Sequence, residues 1–280
     1  LRRAKKSPSK KRGPATTKKA GDRPRAGGSQ KFSIPKGSRL VPGTHAVLEA
    51  ISVRPSAVSQ IFVKPGFESA PEVANLKLRA DRAGISWSEL SLKDMDKIYH
   101  GHQGLMAVVG EDPEVDWDDL KSKDHSQVLV LDGLEDPHNL GAILRTAWLM
   151  KVDAIFVPEN RAVQYSPAAM KVASGGAEHV PVEAENNLAS VMESLKDLGF
   201  WFYGLSHKGE QEIWDVDFPE KIAWVIGSEA KGIRKSVARA CDELVRIPQA
   251  SPGASYNASV SAGIAIAEIA RQRVAKGLDF

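Results

Sequence analysis

A chain of 280 residues with a net charge of +3 has room for one large or two modest hydrophobic cores. Its single cysteine, Cys241, excludes an intrachain disulfide and a cysteine-built metal site, and no apolar run approaches the ~20 residues that span a bilayer as a helix. The small net charge conceals an asymmetry: residues 1–38 carry 13 Lys or Arg against Asp22 alone, whereas the remainder carries 25 basic and 34 acidic residues.

Residues 1–38 are rich in Lys, Arg, Pro, Gly, Ser and Thr and nearly lack large apolar side chains. Such a segment cannot offset the entropy of ordering, which predicts a disordered basic arm. It attracts a phosphate backbone without sequence preference; a solubilising tail and a targeting segment are the alternatives. The arm lacks the apolar core of a secretory signal, so a cytoplasmic protein is expected.

From residue 39 to 110 a small α/β unit is predicted. Gly43-Thr44-His45-Ala46-Val47 opens a helix, Gln60–Val63 reads as a strand, Val73–Ala83 as a helix, Ser86-Trp87 as extended and Leu92–Ile98 as a helix. His100-Gly101-His102-Gln103-Gly104 leads into a strand at Leu105–Val109. His100 and His102 are not accompanied by the Asp, Glu or Cys that would complete a metal site. Residues 111–126, acidic and without a clear pattern, read as a linker.

From residue 127 onward strand and helix alternate. Strands are expected at 128–132, 154–157, 180–182, 200–204, 222–226 and 244–247, and helices at 139–150, 166–173, 187–198, 232–239 and 257–273. That alternation predicts a parallel sheet with helices on both faces, and ligands of such sheets sit beyond the carboxyl ends of the strands. Three loops fall at that edge. The first, Asp136-Pro137-His138-Asn139-Leu140-Gly141, leads into a helix that carries Arg145 on a mostly apolar face. Asp136 or Asn139 can cap this helix, Gly141 permits a close approach by a backbone or a ligand, and a buried Arg145 would need an anionic partner or a functional role. The second loop is Ile226-Gly227-Ser228-Glu229-Ala230-Lys231-Gly232. The third runs from Val245-Arg246-Ile247-Pro248 to Ser255-Tyr256-Asn257-Ala258-Ser259. No Gly-x-Gly-x-x-Gly follows the first strand and no Gly-Lys-Ser/Thr loop occurs, which argues against dinucleotide and nucleoside-triphosphate enzymes.

With these three motifs in order, the chain resembles the SpoU (TrmH) family of RNA ribose 2′-O-methyltransferases, within the SPOUT superfamily, from about Arg39 to the C-terminus. The resemblance implies a methyltransferase domain at residues 127–280 whose last two motif loops belong to a C-terminal trefoil knot, preceded by a domain like ribosomal protein L30e that docks on RNA. It implies S-adenosyl-L-methionine as cofactor, framed by Gly227, Ile247 and Tyr256 with Ser228 and Pro248, and no metal. Tyr256 and Gln249 depart from the Leu and Met usual at those positions. Arg145 is implied to contact the ribose 2′-oxygen and a neighbouring phosphate, with Asn139, Glu229 and Asn257 as the other polar site positions. Asn257 could equally cap the final helix. A homodimer is also implied; Ile264, Ala265, Ile266, Ile269 and Ala270 supply either its contact or intrachain core. The implied substrate is structured RNA, foremost 23S-type ribosomal RNA. Transfer RNA, or a non-catalytic ribosome-assembly role on the same fold, are the alternatives.

Overall fold

The computed structural model describes residues 34–159, 165–251 and 253–278. Most of the expected basic arm, residues 1–33, lies outside the described residues.

The first part of the chain forms a four-stranded sheet: β1 (Arg39–Pro42), α1 (Thr44–Val53), β2 (Val58–Val63), α2 (Pro71–Ala83), β3 (Ser86–Glu89), α3 (Leu92–Ile98) and β4 (Leu105–Val109). The strand order is β1-β4-β2-β3, with β4 antiparallel to both β1 and β2, and β3 parallel to β2. Local chemistry sets the boundaries. Ser91 caps α3 by accepting the amide of Asp94, while its own hydroxyl donates to the Asp94 carboxylate at 2.7 Å. The sequence pattern does not predict β1, a four-residue strand that is buried throughout.

The segment read as a linker contains α4 (Trp117–Ser122). The Asp116 side chain accepts the Asp119 amide at 2.9 Å, and Trp117 packs on Phe156 with ring centroids 5.6 Å apart. A helix this short carries no periodicity to detect.

The remaining elements are β5 (Ser126–Asp132), α5 (Pro137–Leu149), β6 (Ala154–Pro158), α6 (Pro167–Ala173), β7 (Val182–Glu185), α7 (Leu188–Asp197), β8 (Trp201–Leu205), β9 (Gln211–Glu212), β10 (Lys221–Gly227), α8 (Lys235–Ala240), β11 (Glu243–Arg246) and α9 (Ala258–Ala275). The strands form one sheet in the order β7-β6-β5-β10-β8-β11-β9, parallel at every pairing. The strand expected at 180–182 starts later, because a 3-10 turn at Gly176–Glu178 takes up the chain and the Val180 amide returns to the Gly176 carbonyl at 3.0 Å. The helix expected at 232–239 starts at Lys235, because residues 228–234 are held in a loop.

Both faces of the sheet are covered, and the strands divide their side chains between two cores with a period of two. Leu129, Leu131, Ile222, Trp224 and Ile226 point to one face, against α5, α6 and α9. Val128, Val130, Ala223 and Val225 point to the other, against α7 and α8. Ala265, Ile266, Ile269 and Ala270 of α9 are buried within their own chain, so four of the five residues considered for a subunit contact belong to the core. The core of the four-stranded unit is continuous with the first face.

Candidate active site

The site is built at the carboxyl edge of the sheet. β5 and β10 pair in register from Ser126↔Lys221 to Asp132↔Gly227, so the loops that follow them start side by side. The Asp136 side chain caps α5, accepting the His138 amide at 2.8 Å, and Pro137 takes the first helical position. That amide bond, with the His138 ring, holds the Asp136 carboxyl below its ordinary range. Asn139 is buried and its side-chain amide donates to the Glu229 carboxylate, tying the first loop to the second.

The second loop folds back on itself. Ser228 and Gly232 form a bridge, the Gly232 amide donates to the Ser228 carbonyl at 2.8 Å, and Gly232 has φ +65°. A Cβ on Gly227 would lie 2.1 Å from the Gly232 carbonyl carbon and 2.2 Å from the Ile233 amide nitrogen, so this position accepts only glycine. The loop is anchored from below by Asp132, which is 1 % exposed and accepts both the Arg234 amide (2.7 Å) and its Nε (2.6 Å). Asp132→Ala is expected to destabilise the protein by about 1–3 kcal/mol, because it strands a backbone donor while the half-exposed Arg234 side chain regains water. Chemical denaturation and cofactor titration check this; an unchanged midpoint and unchanged binding would remove the anchoring role.

In the third loop the Tyr256 hydroxyl donates to the Pro248 carbonyl at 2.9 Å, closing the loop across its mouth. Asn257 caps α9, accepting the Ser259 amide at 2.9 Å and its hydroxyl at 2.6 Å.

The second and third loops, with the loop after β8, enclose a cleft of about 590 Å³, within the ~300–1,000 Å³ usual for small-molecule sites. Gly227, Ser228, Glu229, Ile247 and Tyr256 line it. Pro248 borders it through the carbonyl that Tyr256 holds, and Asn139 stands behind Glu229. Asn257 and Arg145 are not in the lining.

Arg145 is exposed, not buried as its apolar neighbours suggest, and its side chain makes no hydrogen bond or ion pair among the described residues. Leu140, Ile143, Leu144 and Ala147 turn to the core, which leaves Arg145 at the edge of the helix facing water. Gly141 serves a backbone approach: a Cβ there would lie 2.5 Å from the Ala169 carbonyl of α6. Sequence reasoning misses Leu205, the last residue of β8, and Ser206-His207-Lys208, which follows it; all four line the cleft. The signal for it was the position of a polar loop at the carboxyl end of a buried parallel strand. It also misses Asp132 and Arg234. Cys241 lies close to the sheet, and burial pushes its thiol up to about 12, so it is no nucleophile at neutral pH. Among the described residues no group of three or more His, Cys, Asp or Glu could hold a metal ion, and no helix is long and apolar enough to cross a membrane.

A wholly parallel, two-faced α/β sheet with a small-molecule cleft built from three loops at its carboxyl edge defines an enzyme-like nucleotide- or cofactor-binding fold. The chain belongs to the SpoU rRNA Methylase family, whose model matches residues 126–267; a second model, RNA 2′-O ribose methyltransferase substrate binding, matches residues 40–115. It is 36 % identical over 242 residues to the 23S rRNA (guanosine-2′-O-)-methyltransferase RlmB of Pseudomonas putida, a match covering 84 % of this chain and 96 % of the relative. The crystal structure of an RNA 2′-O ribose methyltransferase superposes with a TM-score of 0.69 at 25 % identity, covering 85 % of this chain and 90 % of that one. The SpoU methyltransferase AviRb from Streptomyces viridochromogenes, solved in complex with the cofactor AdoMet, shares the fold with a TM-score of 0.72 at 23 % identity, over 85 % of this chain and 91 % of that one.

Proposed function

We propose that this protein transfers a methyl group from S-adenosyl-L-methionine to a ribose 2′-hydroxyl of 23S-type ribosomal RNA, at a guanosine as in the named relative. The observation that carries the reading is the cleft itself: the second and third motif loops line one cavity of cofactor size, and Asn139 of the first is tied to the lining residue Glu229. Its lining fits the cofactor. Ile226, Leu244, Ile247 and Ala258 offer apolar walls for an adenine face, and Gly227, which has no room for a Cβ, leaves backbone groups at close range. Gly227, Ser228, Ile247, Pro248 and Tyr256 are assigned to cofactor binding.

When bound, the cofactor supplies an electrophilic methyl on a sulfonium sulfur. The chain must bring the ribose oxygen in line, stabilise the charge that develops on it and let its proton leave. Arg145, with an unoccupied guanidinium, is assigned to the phosphate and the 2′-oxygen. A guanidinium stays charged, so it orients and stabilises rather than removing the proton. Asn139 holds Glu229 at the cleft rim, where the carboxylate orients the substrate. Asn257, by capping α9, sets the position of the adjoining Tyr256.

The domain assignment follows: a basic arm at 1–38, an L30e-like RNA-binding domain at 39–110, a connecting segment at 111–126 and the methyltransferase domain at 127–280. The strand order, with β10 between β5 and β8 and β11 beyond β8, supports a knotted C-terminal segment. The protein is proposed to act as a cytoplasmic homodimer.

The test is transfer of labelled methyl from S-adenosyl-L-methionine to unmodified ribosomal RNA, with the product mapped. A single 2′-O-methyl mark is the expected result. No transfer to ribosomal or transfer RNA, with RNA binding intact, would leave a non-catalytic assembly protein. Deleting residues 1–38 is expected to weaken RNA binding and flatten its dependence on salt, because each lost Lys or Arg contact releases fewer counterions. An unchanged salt slope would make the arm a bystander.

A further inference from the structure

The face of the four-stranded unit that meets α6 and the Gly176–Glu178 turn holds a buried ion pair. Arg39 of β1 donates from Nη1 and Nη2 to the two carboxylate oxygens of Glu178, at 2.7 and 2.8 Å, and from Nε to Asp112 at 2.5 Å. Arg39 is 6 % exposed and Glu178 3 %. Nη1 also meets the Met170 sulfur of α6 at 3.6 Å, and the guanidinium lies 5.5 Å from the centre of the Tyr165 ring. Arg54, at the end of α1, places a second guanidinium 3.7 Å from Glu178. Close by, His179 meets Glu49 of α1 at 3.0 Å and stacks on Trp148 of α5 at 4.4 Å.

A buried ion pair adds little to stability compared with an apolar contact of the same shape, but a two-pronged Arg–carboxylate pair fixes both distance and angle. What it fixes is set by where Glu178 sits. The turn Gly176–Glu178 lies directly on α5: a Cβ on Gly176 would lie 2.6 Å from the Leu144 carbonyl oxygen and 3.0 Å from the Arg145 amide nitrogen. The carboxylate that receives Arg39 is therefore two residues and one backbone contact away from Arg145.

We propose that the Arg39–Glu178 pair is a clasp that holds the 39–110 unit at a fixed position relative to Arg145, so that RNA bound by the first presents its ribose to the second. Arg39 and Glu178 are positioning residues, and their role in delivery rests on the RNA-methylating function proposed above. The clasp acts on the RNA side of the reaction alone, since neither residue lines the cofactor cleft.

The clasp is tested by pairs of spin labels at Leu78→Cys and Glu193→Cys, both exposed positions, in protein diluted with unlabelled chains. Cys241, which is only partly buried, is replaced by Ser in every labelled sample. A narrow distance distribution is expected in the parent and a broad one in Glu178→Gln. With a long ribosomal RNA fragment, kcat/KM is expected to fall about tenfold or more, mainly through KM, with S-adenosyl-L-methionine affinity unchanged. Arg39→Lys, which keeps the charge but not the fork, should fall between. If Glu178→Gln does not fold, Arg39→Lys provides the same readouts. Distributions as narrow as the parent's in both variants would overturn the clasp. Broad distributions with unchanged kcat/KM would overturn its role in delivery. If the parent transfers no methyl group, the proposed function fails, while the distance measurement still decides the clasp.

Discussion

Arg145→Ala is expected to lower methyl transfer by at least a hundredfold to a thousandfold, or about 3–4 kcal/mol, the usual effect of removing a group that stabilises charge in the transition state. The same substitution should leave folding almost untouched. Arg145 is exposed on α5 and its side chain has no hydrogen-bond or ion-pair partner among the described residues, so its removal strands no buried group. Cofactor affinity should also hold, because the guanidinium does not line the cleft. That combination separates a catalytic group from a structural one: turnover falls, while the unfolding midpoint and the S-adenosyl-L-methionine Kd do not. Arg145→Lys keeps the positive charge and loses the planar fork, and should recover only part of the rate. Single-turnover transfer to ribosomal RNA, with thermal unfolding and cofactor titration on the same samples, makes the comparison. Transfer at the parent rate would remove Arg145 from the mechanism.

The way Arg145 was misplaced shows what a sequence carries and what it omits. Its neighbours Leu144 and Thr146 do not reveal the width of the buried stripe, which spans Leu140, Ile143, Leu144 and Ala147 and stops just short of it. The parallel sheet was legible because its strands are buried on both faces and read as continuous apolar runs, as in Val128-Leu129-Val130-Leu131. Two of the loops that line the cleft were legible because glycine, serine and asparagine clusters follow those runs, whereas Ser206-His207-Lys208 carries no such cluster. β1 and α4 were not, because four or six residues carry too little pattern. Long-range partners were out of reach as well. Asp132 meets Arg234 across 102 positions and Arg39 meets Glu178 across 139, and neither pairing leaves a local mark in the chain. Asn257 is the intermediate case. Its capping bond to Ser259 is local and was readable as one of two options, whereas its place outside the cleft lining depends on the whole edge of the sheet.

Gly227→Ala is the second large effect, and it is expected in cofactor binding. The new methyl group would sit 2.1 Å from one backbone atom and 2.2 Å from another, and neither is the far end of a flexible side chain. The chain at Gly232-Ile233 must therefore move, which opens the Ser228–Gly232 bridge and pulls on the Arg234 amide held by Asp132. Overpacking a side chain into a well-packed region costs about 1–3 kcal/mol, and a clash with backbone belongs at the upper end. Loss of that energy from the bound state corresponds to roughly thirtyfold to a hundredfold weaker S-adenosyl-L-methionine binding. Gly232→Ala provides the internal comparison. A Cβ there meets nothing within 4 Å, and the only penalty is its left-handed backbone at φ +65°, about 1–2 kcal/mol. The two glycines lie in one loop but are constrained by different physics, contact in one and torsion in the other. Gly227→Ala should therefore weaken cofactor binding clearly more than Gly232→Ala when both are measured by calorimetry. Equal effects, or the reverse order, would mean that the loop gives way around Gly227 and that its close contact is not what shapes the cleft.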